Sequence, residues 1–163
     1  MRPAAWRWAV GAALVAAGVA CSASAADAPG PFEKYAGRWV GEGRLGIRDA
    51  ATEQVKCRVT YTPSDNGHGL HQSIRCASQG GSMDVRTDAK HSDGALSGTW
   101  KELTRDWSGT LTGKVSDKAI RVRVAGDSFN AHMSIELKGE KQIIEIQFMD
   151  SALIGLTLWL TQG

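Results

Sequence analysis

The 163-residue chain carries 19 Lys and Arg against 17 Asp and Glu, a formal net charge of +2, and 42% of its residues are hydrophobic. Two of the basic residues, Arg2 and Arg7, belong to a leader, so the remainder holds 17 of each sign; without a basic excess or stripe to displace counterions from phosphates, nucleic acid is excluded as a partner. After the leader no stretch reaches the roughly 20 apolar residues of a spanning helix, and a transmembrane helix is not expected.

The first 25 residues have the layout of a secretory signal: Arg2 and Arg7, an apolar run from Trp8 to Ala20, then Ala23-Ser24-Ala25 as a small-residue cleavage site. The expected destination is the periplasm or the medium. Cys21, directly after the apolar run, is an alternative lipidation site, although Gly18 stands where bacterial lipoproteins usually place Leu. Cleavage after Ala25 leaves Cys57 and Cys76, an even count in an oxidising compartment, and a disulfide is expected. Closing a loop of about 20 residues contributes about 3 kcal/mol in the chain-entropy model. The alternative, a metal site, lacks His or Cys partners at zinc spacing, so no metal is expected.

Residues 26–31 are small, polar and rich in Pro and Gly, which gives residues 26–35 the character of an arm and short turn ahead of a domain spanning 36–163. From there apolar and polar residues alternate with a period of two almost to the last residue, the mark of half-buried strands. Trp39, Gly41, Gly43, Leu45 and Ile47 share one face, and Arg38, Glu42, Arg44 and Arg48 the other. Val55, Cys57, Val59 and Tyr61, then Leu70, Gln72, Ile74 and Cys76, continue the inner face, so both cysteines point inward. Asp65-Asn66-Gly67 between them is a hairpin signal, and a two-residue turn there sets the cysteines opposite each other with a bulge near Pro63 or Gly69.

Met83, Val85 and Ala89 follow, then a Ser-Asp-Gly turn at 92–94. Leu96 to Trp100 and Trp107 to Leu111 are matching arms of one hairpin, with Gly98 and Gly109 inward, where a missing side chain permits bending. The last four strands carry Ile120, Val122 and Val124; Phe129, Ala131, Met133, Ile135 and Leu137; Ile144, Ile146 and Phe148; and Ile154, Leu156, Leu158 and Leu160. Leu153 and Trp159 take the outer face. The fold class is therefore all-β: about eight to ten short antiparallel strands in one up-and-down barrel, with a two-sheet sandwich as the alternative.

The inward set Trp39, Tyr61, Met83, Trp100, Trp107, Phe129, Met133 and Phe148 builds either a filled core or a chamber for an apolar ligand, and the short strands favour a filled one. Two polar residues share that parity. Glu102 and Gln72 are candidates to hold the polar head of a ligand near the barrel mouth; the alternative is that the strand ends near Lys101 and Glu102 is solvated. His68, His71, His91 and His132 fall at turns or on the outer face and read as solvated.

Phe32-Glu33-Lys34-Tyr35-Ala36-Gly37-Arg38-Trp39 resembles the first signature of the lipocalins, a short helical turn ending in Gly-x-Trp whose Trp closes the narrow end of the barrel. Extended through Gly41 and Gly43, the segment is also similar to the opening of the ten-stranded nitrobindin-type barrels. In those, a histidine near the C-terminus ligates haem; residues 151–163 contain none, and no cofactor is expected. The export signal, Gly37-x-Trp39 and the Cys57 to Cys76 spacing also resemble the small bacterial inhibitors of metalloproteases, in which residues 26–33 would be the inhibitory arm.

Gly41-Glu42-Gly43-Arg44-Leu45-Gly46 matches a dinucleotide-binding expression, but no helix follows it. No Gly-x-Ser-x-Gly elbow, inward His or pair of inward carboxylates supplies a catalytic constellation, and an enzyme is not expected. The leading expectation is an exported lipocalin-like binder of a small apolar molecule. The alternatives are a protease inhibitor and an envelope-associated interaction protein that uses Trp159 and the Arg38, Arg44, Arg48 row.

Overall fold

The computed structural model describes residues 28–128 and 130–163; the leader, Cys21 and Phe129 lie outside them. A 3-10 turn at Glu33–Tyr35 precedes ten strands: β1 (Gly37–Ile47), β2 (Glu53–Ser64), β3 (Gly69–Ser78), β4 (Gly81–Ser92), β5 (Ala95–Glu102), β6 (Trp107–Val115), β7 (Ala119–Gly126), β8 (Asn130–Lys138), β9 (Lys141–Met149) and β10 (Leu153–Gln162). Each strand pairs antiparallel with its neighbours in sequence, and β10 returns to β1, with Trp39 opposite Gln162 and Leu45 opposite Leu156. The sheet is thus a closed up-and-down barrel with no free edge. Among the described residues no helix is long and apolar enough to cross a membrane.

Turn chemistry fixes the register. Asp93 and Gly94 occupy the left-handed region (φ 50° and 80°) in the two-residue turn between β4 and β5, as this hairpin type requires. Between β2 and β3 the expected two-residue turn is instead a four-residue one: Ser64 pairs with Gly69, and residues 65–67 form a 3-10 turn. That change of phase removes the need for a bulge near Pro63 or Gly69, and the pairing runs unbroken from Ser64 to Lys56. Cys57 and Cys76 stand opposite each other, Cα atoms 4.2 Å apart, and are disulfide-bonded. A bulge does occur elsewhere. Gly46 pairs with Gly155 but Ile47 with Leu153, so Ile154 is skipped. Parity inverts there: Leu153 turns into the barrel and Ile154, 55% exposed, turns out, the reverse of the expected assignment.

One end of the barrel is filled. Phe32, Tyr35, Val59, Tyr61, Gln142, Ile144, Leu158 and Leu160 are completely or almost completely buried there, with Trp39 among them. The Trp39 indole N–H donates to the Tyr35 carbonyl at 2.8 Å, which fastens the 3-10 turn across the opening. The segment before it is tied down as well: the Gly30 and Phe32 amides donate to the carbonyls of Asn66 and Gly67 at 2.7 and 3.1 Å, and Lys34 Nζ donates to the Asp117 carbonyl at 2.6 Å. From Gly30 onward, the stretch that the inhibitor resemblance casts as a free arm is part of the barrel's closed end.

The Cys57–Cys76 bond closes a loop with a sequence separation of 19 between adjacent strands. Replacing both cysteines by Ala is expected to lower stability by about 3 kcal/mol and the melting temperature by roughly 10 °C. Calorimetry of the wild type and the double variant checks this, and reductant should shift the wild type alone.

Candidate functional site

The opposite end of the barrel is hollow, so the expected filled interior holds only for the closed half. A cavity of about 510 Å³ opens between the loops that join β1 to β2, β3 to β4, β5 to β6, β7 to β8 and β9 to β10. Its wall is mostly apolar: Leu45, Val55, Ile74, Met83, Val85, Leu111, Val124, Ala131, Met133, Ile146, Phe148 and Leu156 contribute. The volume falls within the range of about 300–1,000 Å³ usual for small-molecule sites. A comparably large hollow near Lys56, Arg58 and Arg75 is an open groove on the outside of the sheet, where Arg75 is already held by Asp84 at 2.8 Å.

Trp100 shapes the floor of the chamber. It sits in a row across neighbouring strands, Tyr61, Gln72, Thr87, Trp100, Gly109, Gly126, each opposite the next. Gly126 leaves space beside the indole: a Cβ there would come within 2.5 Å of the Trp100 ring. The indole N–H then donates to the Ala125 carbonyl at 3.1 Å. A glycine on β7 thus makes room for a large ring at the wall.

Gln72 is the deepest lining residue on β3, since Leu70 belongs to the closed-end core. Only 5% of it is exposed, and its Nε2 makes no hydrogen bond of standard geometry within the protein. Below it, the Tyr61 hydroxyl donates to Gln142 Oε1 at 2.9 Å and also interacts with the Gln72 amide. Burial raises the Tyr61 hydroxyl well above the usual tyrosine range and pushes Tyr35 up to about 12. Both phenols are neutral at physiological pH. Tyr35 Oη and Gln142 Nε2 are likewise without protein partners, but neither lines the cavity.

Glu102 is 3% exposed, which overturns the solvated reading. Its Oε1 accepts the amides of Asp84 and Thr104, both at 3.1 Å, and its Oε2 accepts that of Arg105 at 2.7 Å; the Arg105 guanidinium stands 3.7 Å away. Desolvation alone would raise this carboxyl, but the hydrogen bonds from Asp84, Thr104 and Arg105 outweigh it and hold it below the usual carboxylate range. The group therefore organises the turn after β5. Because its folded pKa is depressed, the stability it contributes is complete above its unfolded value of about 4.3 and drains away as pH falls below that. Glu102→Gln removes the charge and sets an amide N–H₂ against backbone donors, at an expected cost of about 1–3 kcal/mol at neutral pH. Urea midpoints measured from pH 7 to pH 3 should converge for the two proteins at the acid end.

Of the residues singled out in the sequence, Gln72, Met83, Trp100, Glu102, Trp107, Met133 and Phe148 line the cavity. Trp39 and Tyr61 do not: they belong to the filled half, because β1 and β2 reach the closed end at those positions. Phe129 lies outside the described residues. Trp107 is not interior but 37% exposed, at the first position of β6 on the rim, where the Arg105 guanidinium sits 5.5 Å from its ring centroid. Leu103, Met149 and Ile154 are also exposed at the same end but do not line the cavity.

Two histidines also differ from the expectation of solvation. His68 and His91 are half-buried and stacked, with ring centroids 5.4 Å apart and Nδ1 atoms at 3.2 Å. The Gly94 amide donates to His91 Nε2 at 2.9 Å, so the proton between the rings sits on His91 Nδ1 and His68 Nδ1 accepts it. The pair braces two turns under the closed end. Only pairing across strands reveals it, because His68 sits in a turn and His91 at the end of β4.

A closed, all-antiparallel ten-stranded barrel, plugged at one end and hollow at the other, is consistent with a calycin-like fold. Comparison with models of known protein families and with curated proteins finds no match to this chain, so the likeness is one of architecture.

Proposed function

We propose that this protein is an exported binding protein that holds one small, mainly apolar molecule in the open half of its barrel. The observation that carries the reading is the contrast between the two halves: aromatic side chains and a strapped-down 3-10 turn fill one, while about 510 Å³ between apolar walls stays open in the other. Burying an apolar molecule against such a wall is favourable by about 25 cal/mol per Å² of surface removed from water. Trp107, exposed on the rim and lining the cavity, offers an apolar surface at the entry. The leader and the inter-strand disulfide both suit an oxidising compartment outside the cytoplasm.

Two measurements test the reading. Titration with fluorescent fatty-acyl probes should give saturable, one-to-one enhancement of emission. Native mass spectrometry of protein purified gently from its host should show adduct masses that disappear after extraction with organic solvent. A protein that leaves every probe unresponsive and flies without adducts contradicts it.

A further inference from the structure

We propose that the outer face of β10, β1 and β2 docks on an anionic phospholipid bilayer, with the barrel lying on its side. Trp159 then sits at headgroup level, and a band of cations from β1 and β2 meets the lipid phosphates. The surface is separate from the chamber, since none of these side chains lines the cavity.

Strand pairing assembles the band. Arg38 and Arg44 on β1 and Lys56 and Arg58 on β2 are exposed, with Arg58 opposite Val40 and Lys56 opposite Glu42, the acid that stands among them. Arg38 to Arg44 is about 20 Å of strand at roughly 3.3 Å per residue, so the band runs along the barrel wall. No single stretch of sequence shows it, because it is built from two strands on which outward and inward residues alternate. Among the described residues none of the four side chains enters an ion pair. The chain without its leader holds equal numbers of acids and bases, so these cations are a local excess.

Two further observations point to an external anion and to a bilayer. Arg58 stands directly opposite Arg75 on β3, an arrangement that is unfavourable unless an anion intervenes. Asp84 serves Arg75 at 2.8 Å and Arg86 at 3.0 Å, which leaves Arg58 to an anion from outside. The open groove on the outside of the sheet lies here, lined by Val40, Lys56, Arg58 and Arg75, and gives a headgroup phosphate a place between cations. Beside the band Trp159 is 51% exposed, opposite Ile143 on β9 and diagonal to Val40, both half-buried. Tryptophan is enriched at the membrane–water interface, and cations are drawn to anionic headgroups. An aromatic at the edge of a cationic band thus fits a bilayer better than a soluble polyanion.

The full processed protein should sediment at low salt with mixed vesicles of phosphatidylglycerol and phosphatidylcholine, leave them as salt is raised, and ignore pure phosphatidylcholine. Lys56→Gln combined with Arg58→Gln should weaken partitioning by about thirtyfold, roughly fivefold per cation. Lys114→Gln combined with Arg123→Gln removes the same charge from β6 and β7, across the barrel from β1, and should leave partitioning unchanged. Mixed vesicles with brominated acyl chains should quench tryptophan emission in the wild type and not in Trp159→Phe, which keeps an aromatic ring at the surface. Equal binding to both kinds of vesicle, equal losses in the two charge variants, or quenching that persists in Trp159→Phe overturns the assignment. So does a protein that ignores vesicles but binds polyglutamate or duplex DNA, for then its partner is a soluble polyanion.

Discussion

Trp39→Ala is expected to remove about 3–5 kcal/mol of stability, the range for deleting a large aromatic from a core. Trp39 is 2% exposed and lies with Tyr35, Phe32 and Leu160 in the closed half, so its loss leaves a cavity that the barrel wall, pinned strand to strand, cannot collapse to fill. The substitution also strips the Tyr35 carbonyl of the indole N–H at 2.8 Å and loosens the turn that seals the end. Domains of this size are stable by about 5–15 kcal/mol in total, so roughly a fifth of the margin or more goes with one side chain. A urea titration followed by far-ultraviolet circular dichroism measures this. Probe affinity should be retained wherever the variant is folded, because Trp39 does not line the chamber.

Val85→Trp should do the converse. Val85 is half-buried and faces the hollow half, with Ile74 opposite on β3 and Glu102 opposite on β5. An indole there enters the cavity rather than a packed core, and stability should change by less than the roughly 1–3 kcal/mol that overpacking costs. Binding should fall steeply. Excluding three or four methylene groups of a ligand forfeits about 0.8 kcal/mol each, roughly a hundredfold in affinity. Trp159→Ala, on the outer face of β10, should leave binding unchanged in the same titration. Equal loss in both variants would mean that the probe sits outside the barrel.

These two positions also mark what the sequence discloses. The period-two pattern identifies the inward face of nearly every strand because each strand is half-buried, and Trp39, Val59, Leu111 and Ile135 are accordingly inside. The pattern is silent about height along the barrel axis. It assigns Trp39 and Tyr61 the same inward parity as Met83 and Met133, although one pair packs the closed end and the other lines the chamber. Hollowness depends on which side chains meet across the barrel, and that follows from stagger between strands rather than from any one strand.

Local irregularities account for the remaining differences. The skipped residue Ile154 inverts the start of β10, and no motif in Leu153-Ile154-Gly155 announces it beyond the glycine. Glu102 looks like a strand end because its partners, the amides of Asp84, Thr104 and Arg105, come from a neighbouring strand and a turn. The His68–His91 contact spans two turns in the same way. Gln72, whose parity was legible, gains its meaning from depth: it is on the floor, not at the mouth.

The most direct measurement is nuclear Overhauser contact between a bound apolar probe and the methyl groups of the protein. Val85 on one wall of the open half and the paired Met133 and Ile146 on β8 and β9 should show strong contacts to the probe, and Val59 and Leu158 in the filled half none. Contacts confined to outward groups such as Val40 and Ile143 would contradict a chamber inside the barrel.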